Sequence, residues 1–197
     1  MASPPPIALH PEAGAFRARL GTRSIVLVGM PGSGKSSIGR RLGQRLGLDF
    51  ADADAEIERA ANMTIPELFQ TKGEAEFRKG EQKVIARLLE GGPIVIATGG
   101  GAYMNADTRA RIREKGISIW LKADIETLLK RVKRKTNRPL LQTADPEAAL
   151  RNLLAAREAT YAEADLVITS CEVPHEEVVE AIVDLLDTSL PKGQPQS

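Results

Sequence analysis

The run Gly29-Met30-Pro31-Gly32-Ser33-Gly34-Lys35-Ser36 constrains this chain more than any other segment. It has the form Gly-x4-Gly-Lys-Ser, follows the apolar stretch Ser24-Ile25-Val26-Leu27-Val28 and opens a helical pattern. A glycine-rich turn between strand and helix lets successive backbone N–H groups close around phosphate oxygens at a helix N-terminus. Lys35 then reaches the outer phosphates, and the Ser36 hydroxyl supplies the hard oxygen that a bridging Mg2+ requires. A purely structural turn would need the glycines but not the Lys-Ser pair, so the run reads as a phosphate-binding P-loop.

From Ser24 onward, short apolar runs alternate with longer amphipathic segments, which predicts a parallel sheet covered by helices. Strands are expected at Ser24–Val28, Leu48–Ala51, Ile94–Ala97, Ile117–Leu121 and Leu166–Thr169. Helices are expected at Lys35–Leu46, Ala53–Ala61, Ile65–Gln70, Glu74–Leu89, Ala106–Lys115, Ile125–Val132, Pro146–Tyr161 and His175–Leu190. Thr64 with Glu67 has capping-box spacing, Asp124 precedes Ile125, and Asp145-Pro146 places an N-cap before a first-turn proline. Gly91-Gly92-Pro93 ends one helix and launches the third strand.

The 197 residues suffice for one domain with a sizeable core. Residues 1 to about 22 read as a flexible or loosely docked extension, with a short helix possible from Glu12 to Leu20. Residues 191–197 read as a disordered tail. Five basic residues fall between Lys130 and Lys135, followed by Arg138-Pro139 and polar residues, a mobile basic loop leaving a helix.

Composition narrows the partners. The 27 basic and 26 acidic residues leave a net charge of +1, and aromatics are only 4%. Neither a broad positive field nor a base-stacking surface is available, which argues against nucleic acid and anionic membranes as main partners. No apolar run approaches the length of a membrane span. Cys171 is the sole cysteine, so no intrachain disulfide forms and a reducing, cytoplasmic setting fits.

Ligands of an open parallel sheet bind beyond the carboxyl ends of its strands. Behind the first strand stands the P-loop; behind the second, Asp52-Ala53-Asp54; behind the third, Thr98-Gly99-Gly100-Gly101. If the second segment stays extended, its two aspartates point to one side with alpha carbons about 7 Å apart. One carboxylate then serves the Mg2+ hydration shell while the other orients or deprotonates an acceptor hydroxyl. The alternative is that Asp52 merely ends a strand and Asp54 caps a helix. The third strand carries no acidic residue where many P-loop proteins place a metal-holding aspartate, which strengthens the metal reading of Asp52. Gly99–Gly101 offer bare backbone to a ligand, or form a plain flexible turn. Arg78, Arg138 and Arg157 carry the fork that suits a carboxylate or phosphate, although any one of them could sit on a solvated face.

Together these segments resemble shikimate kinase, within the nucleoside-monophosphate-kinase-like P-loop group. The likeness spans about Ser24 to Leu190 and rests on the P-loop, Asp52-Ala53-Asp54, Glu76-Phe77-Arg78, Gly99-Gly100-Gly101, Arg138-Pro139-Leu140-Leu141 and Arg157 before Tyr161. It implies a three-layer αβα fold whose five-stranded parallel sheet has the order 2-3-1-4-5. A kinase domain would cover about 23–190, with a substrate-binding helical region near 53–81 and a mobile lid near 133–145. The implied reaction transfers the ATP γ-phosphoryl group, with Mg2+, to the 3-hydroxyl of shikimate, in a monomeric enzyme.

On that template ATP lies on Gly29, Met30, Pro31, Gly32, Ser33, Gly34, Lys35, Ser36 and Ser37, with Arg131 and Pro174 on either side of adenine. Asp54, Phe69, Phe77, Arg78, Gly99, Gly100, Gly101 and Arg157 form the shikimate pocket. Arg78 and Arg157 grip the carboxylate, and Asp54 holds the ring hydroxyls, either orienting the acceptor or acting as its base. Ser36 and Asp52 serve Mg2+, Lys35 stabilises the transferred group, and Arg138 closes from the lid. Ser37 stands where threonine is common. The rivals are a gluconate-type or nucleotide monophosphate kinase, and a nucleotide-dependent switch. Against the switch, no Asn-Lys-x-Asp guanine-selecting motif occurs; Thr136-Asn137-Arg138-Pro139 does not fit.

Overall fold

In a computed structural model, residues 8–133, 145–170 and 173–191 are described. Arg138 with its Pro-Leu-Leu sequel, Cys171 and nearly all of the expected tail lie outside the described residues, as does most of the expected lid.

The strands β1 (Ser24–Val28), β2 (Asp49–Asp52), β3 (Ile94–Ala97), β4 (Gly116–Lys122) and β5 (Leu166–Thr169) form one parallel sheet in the order β2-β3-β1-β4-β5. Strand β1 lies at its centre and all five of its residues are buried. That is why its sequence is a continuous apolar run, since a strand covered on both faces has no solvent side to alternate with.

Helices α1 (Ala13–Leu20), α2 (Lys35–Leu46), α3 (Ala53–Ala61), α4 (Ile65–Glu90), α5 (Ala106–Lys115), α6 (Ile125–Lys133), α7 (Pro146–Tyr161) and α8 (His175–Ser189) complete the described elements, with a short 3-10 turn at Ala102–Met104. One core packs Ile25 and Leu27 of β1 against Ile38 and Leu42 of α2 and Ile182 and Leu186 of α8. A second, built on Val26 and Val28, joins Ile85, Ile112, Leu128 and Leu150. The alternation along β1 thus feeds two separate cores, one for each covering layer. A smaller third cluster, Ile57, Leu68, Phe77 and Val84, lies under α3 and α4.

Strand β2 starts one residue later than expected. Gly47 adopts φ +64° after α2, its N–H bonds to Gln44 O, and Leu48 N–H bonds back to Gly43 O at 2.9 Å. This Schellman closure assigns Leu48 to the helix end. The two helices expected at Ile65–Gln70 and Glu74–Leu89 are joined as α4 across a break at Gly73, where φ is +77° and ψ 167°. The capping box of Thr64 and Glu67 and the caps at Asp124 and Asp145 form as the sequence implies.

The N-terminal segment differs more. Residues 8–22 are docked rather than loose: Phe16 and Leu20, one helical turn apart, are fully buried with the α2 and α8 core. Arg19 pairs with Asp187 of α8, and His10 N–H donates to Arg45 O at 2.7 Å. Two large apolar residues on eight residues of helix give too short a stripe to register as a period.

Candidate active site

The P-loop turns as its glycines require. Gly34, the N-cap of α2, has φ +99°, a conformation that a side chain would strain. No acidic residue occupies the first turn of α2, so the positive end of its dipole faces the loop unopposed. The Lys35 ammonium is buried and donates to the Gly29 and Met30 carbonyls, both at 2.8 Å. Met30 is buried in the second core, and the Pro31 ring packs beside Gly100. A cavity of about 390 Å3 opens here, lined by Gly32 and Gly34–Ser37 of the P-loop, by Asp52 and Asp54, and by Gly100.

The register sets the two aspartates beside the loop. Asp52, the last residue of β2, pairs with Ala97, the last of β3. It therefore stands one strand over from the place where a metal-holding aspartate ordinarily ends the third strand. The segment does not stay extended beyond Asp52, because α3 begins at Ala53, the start expected from the sequence. Asp52 caps that helix, accepting from Asp54 N–H at 3.1 Å and Ala55 N–H at 3.5 Å. Asp54 sits in the first helical turn, and both still line the same cavity. Capping thus coexists with exposure to the site. Thr98, where β3 ends, spends its N–H and hydroxyl on Leu27 O at 3.1 and 3.0 Å.

Each glycine behind β3 is backed by a different polar group. A Cβ on Gly99 would come within 2.7 Å of Asp54 Oδ1 and 2.8 Å of Glu81 Oε1. A Cβ on Gly101 would come within 2.7 Å of both terminal nitrogens of Arg78. The Gly100 carbonyl accepts from Arg157 Nη1 at 3.0 Å and from the Tyr161 hydroxyl. Asp54 of α3, Arg78 of α4 and Arg157 of α7 are therefore brought together on one short run of bare backbone. Side chains there would displace them, so close packing calls for the glycines.

Glu81 is the residue that sequence reading missed. It is 3% exposed, and Oε2 accepts from Arg78 Nη1 at 2.7 Å. Oε1 is the buried side-chain oxygen without a hydrogen-bond partner among the described residues. Burial pushes its carboxyl above the ordinary 4.5; Arg78 offsets part of this, and the Asp54 charge adds to it. The sequence did hold a signal. Glu81 lies on the stripe of Phe77, Val84, Ile85 and Leu88, where a charge needs a reason.

At the other end of the cavity, Arg131 of α6 donates to Ser33 O at 3.3 Å and Ser170 Oγ at 3.0 Å. The Ser170 hydroxyl donates in turn to Ser33 O at 3.1 Å, tying the end of β5 to the P-loop. Pro174 is exposed at the N-cap of α8, beside this end but outside the cavity lining, which continues to His175. Phe69 and Phe77 pack on each other with centroids 4.6 Å apart and planes tilted by 36°, within or against the third apolar cluster rather than on the cavity wall.

The oxygen donors fit a hard divalent cation. Ser36 and Asp52 line one cavity, and among the described residues no group of three or more His, Cys, Asp or Glu could hold a metal alone. Mg2+ typically keeps several waters and takes one or two protein oxygens together with substrate phosphates, which suits this sparse set.

Comparison with known proteins agrees with this geometry. The family model described as shikimate kinase matches residues 31–187. A shikimate kinase of Bradyrhizobium diazoefficiens is 58% identical over 185 residues, covering 94% of this chain and 89% of the relative. One from Nitrobacter winogradskyi is 55% identical, covering 98% and 89%. Among solved structures, the shikimate kinase of Acinetobacter baumannii in complex with shikimate superposes with a TM-score of 0.84. It is 38% identical, over 88% of this chain and 98% of that one.

Proposed function

Because this chain belongs to the shikimate kinase family, its reaction is transfer of the ATP γ-phosphoryl group to the 3-hydroxyl of shikimate, and we propose that residues at the ends of β1, β2 and β3 divide that work. The products are shikimate 3-phosphate and ADP, on the route to chorismate and the aromatic amino acids. ATP is used with Mg2+.

Arg78 and Arg157 hold the shikimate carboxylate, a bidentate task for planar guanidinium forks. Gly99–Gly101 let the ring approach the backbone, with Phe69 and Phe77 supporting this side of the pocket. Asp54 orients the 3-hydroxyl toward the phosphates and accepts its proton as the new P–O bond forms. The P-loop amides of Gly29–Ser37 and the Lys35 ammonium receive the phosphate chain, and Lys35 stabilises the charge on the moving group. Ser36 and Asp52 would hold Mg2+, which would supply positive charge to the outer phosphates. Arg131 and Pro174 flank adenine.

The segment near 53–81 is the acceptor-binding region of a kinase domain spanning about 23–190, and 133–145 is its lid. Arg138, outside the described residues, closes over the phosphates to exclude water. The enzyme acts as a monomer in the cytoplasm; its single cysteine is in keeping with a reducing compartment.

The observation that carries this assignment of roles is the convergence of Asp54, Arg78 and Arg157 on Gly99–Gly101, beside the P-loop. Purified protein with Mg2+ and ATP should release ADP when shikimate is supplied, and hardly with gluconate, AMP or no acceptor. Turnover of another acceptor with shikimate inert would overturn the reading. Arg78→Lys should weaken shikimate binding, since the fork is lost while the charge remains.

A further inference from the structure

His175 is the first residue of α8 and lines the cavity that runs from Asp54 and Gly100 along the P-loop to Arg131. It is one of only two histidines in the chain. None of the roles above uses it. We propose that His175 is a further nucleotide-contacting residue, meeting the nucleoside end of ATP rather than its phosphates. The proposal rests on the assignment of this cavity to ATP.

The P-loop is tied to segments on both sides of His175 in sequence. Arg41 of α2 donates through Nε to Glu176 at 2.9 Å and through Nη1 to Ser37 O at 3.1 Å. The residue next to His175 is thereby tied to the P-loop helix at Ser37, which itself lines the cavity. On the other side, Arg131 and Ser170 both bond Ser33 O and hold the end of β5 against the loop. The phosphates occupy the amides and Lys35 between these supports. What remains for the Arg131–His175 end is the sugar and base.

Charge separates the nucleoside from the phosphates as the partner. Burial lowers the His175 imidazole below its ordinary value, and Arg41 and Arg131 lower it further, with Glu176 opposing weakly. A neutral imidazole has one N–H donor and one lone-pair acceptor. That suits a purine edge or a ribose hydroxyl, groups that offer both functions, whereas a phosphate would draw a proton onto the ring. The two arginines already supply positive charge here.

The test varies ATP at saturating shikimate and then shikimate at saturating ATP, in the wild type, His175→Ala and His175→Gln. His175→Ala should raise KM for ATP about 3- to 10-fold, the worth of one hydrogen bond, and leave kcat and KM for shikimate unchanged. His175→Gln, a neutral donor and acceptor, should recover most of the loss. An unchanged KM for ATP, or an equal rise in both KM values, overturns the proposal. Side-chain NMR of 15N-histidine-labelled protein separates the partner further. His10, 3.9 Å from Asp187 and outside the cavity lining, serves as the reference signal. Adenosine and ADP should move the His175 signal while pyrophosphate should not. An equal response to pyrophosphate overturns the assignment to the nucleoside. Neither result disturbs the identity of the acceptor, which the wild-type assay with shikimate decides separately.

Discussion

Arg78 and Glu81 meet at 2.7 Å on one face of α4, and the pair is unequal: Glu81 is 3% exposed, Arg78 27%. The buried partner holds the accessible one. Arg78 also reaches Glu74 at 3.3 Å and lies 5.1 Å over the Phe77 ring, so three contacts fix its fork beside Gly101. Burial works to lower the Arg78 guanidinium, but its bonds to Glu81 and Glu74 prevail and it is raised. Arg78 is therefore a permanently charged, oriented fork, which suits the carboxylate-gripping role proposed for it.

Removing the buried partner should release the anchor. Glu81→Ala is expected to raise KM for shikimate about tenfold or more, since a lost charge-assisted hydrogen bond is worth about 1.5–3 kcal/mol. KM for ATP should change little. Glu81→Gln keeps an acceptor of the same shape and should lie close to the wild type. Steady-state kinetics in both substrates checks this split.

The same residue gives stability a pH signature. The folded-state pKa of Glu81 lies above the ordinary 4.5, so the native protein holds this proton more tightly than the unfolded chain does. Its contribution is fully present below 4.5 and is lost as pH rises through the raised folded value. The Tm of the wild type relative to Glu81→Gln should therefore fall from pH 4.5 toward neutrality. Thermal unfolding across that range reads it, and parallel curves would refute it.

Alanine at two neighbouring glycines should separate the two substrates. In Gly101→Ala the new methyl would meet the Arg78 fork, raising KM for shikimate about tenfold with ATP little affected. In Gly100→Ala it would lie 2.9 Å from Pro31 Cδ, and a proline ring cannot turn aside. That variant should lose affinity for both substrates. Titration of ADP and of shikimate into each variant measures the difference.

The two aspartates should fail in different ways. Asparagine is as good an N-cap as aspartate, so Asp52→Asn keeps α3 intact while removing the charge proposed to serve Mg2+. The Mg2+ concentration for half-maximal rate should rise several-fold, with Tm held. Asp54→Asn should chiefly lower kcat, by about 100-fold or more. Rate measurements across a Mg2+ series distinguish them.

Phe16 tests the docked N-terminal helix. Phe16→Ala empties a fully buried site and should cost about 3–5 kcal/mol of stability. Both KM values should stay near those of the wild type at temperatures where the variant is folded. Denaturant unfolding provides the first number and kinetics the second.

The legible features were those whose chemistry is local. The P-loop, the apolar strands and the caps at Thr64, Asp124 and Asp145 each declare themselves within a few residues, and each forms. The family resemblance supplied the strand order, which the sheet has. Features made by distant partners were harder to see. Glu81 has in sequence both the spacing of an i,i+3 surface pair with Arg78 and a place on the apolar stripe of α4, and its burial in the fold decides for the second. Phe16 and Leu20 lack a readable period because their burial comes from α2 and α8. The Asp52–Asp54 segment left two readings open in the sequence, and Asp52 proves to end β2 and to cap α3 at once, since its backbone closes the strand while its side chain accepts from the first helical turn.

The register of Asp52 with Ala97 has a consequence for how the sheet is used. With an acid at the tip of β2 and the polar groups of Thr98 committed to β1, the tip of β3 is free to be bare glycine. Under the roles proposed here, β1 presents the donor, β2 the metal and β3 the acceptor, one participant per strand. The tip of β3 then lies one strand spacing, about 4.8 Å, from that of β1, with β2 one strand further out, and the backbone hydrogen bonds of the sheet become the ruler that sets the path of the phosphoryl group.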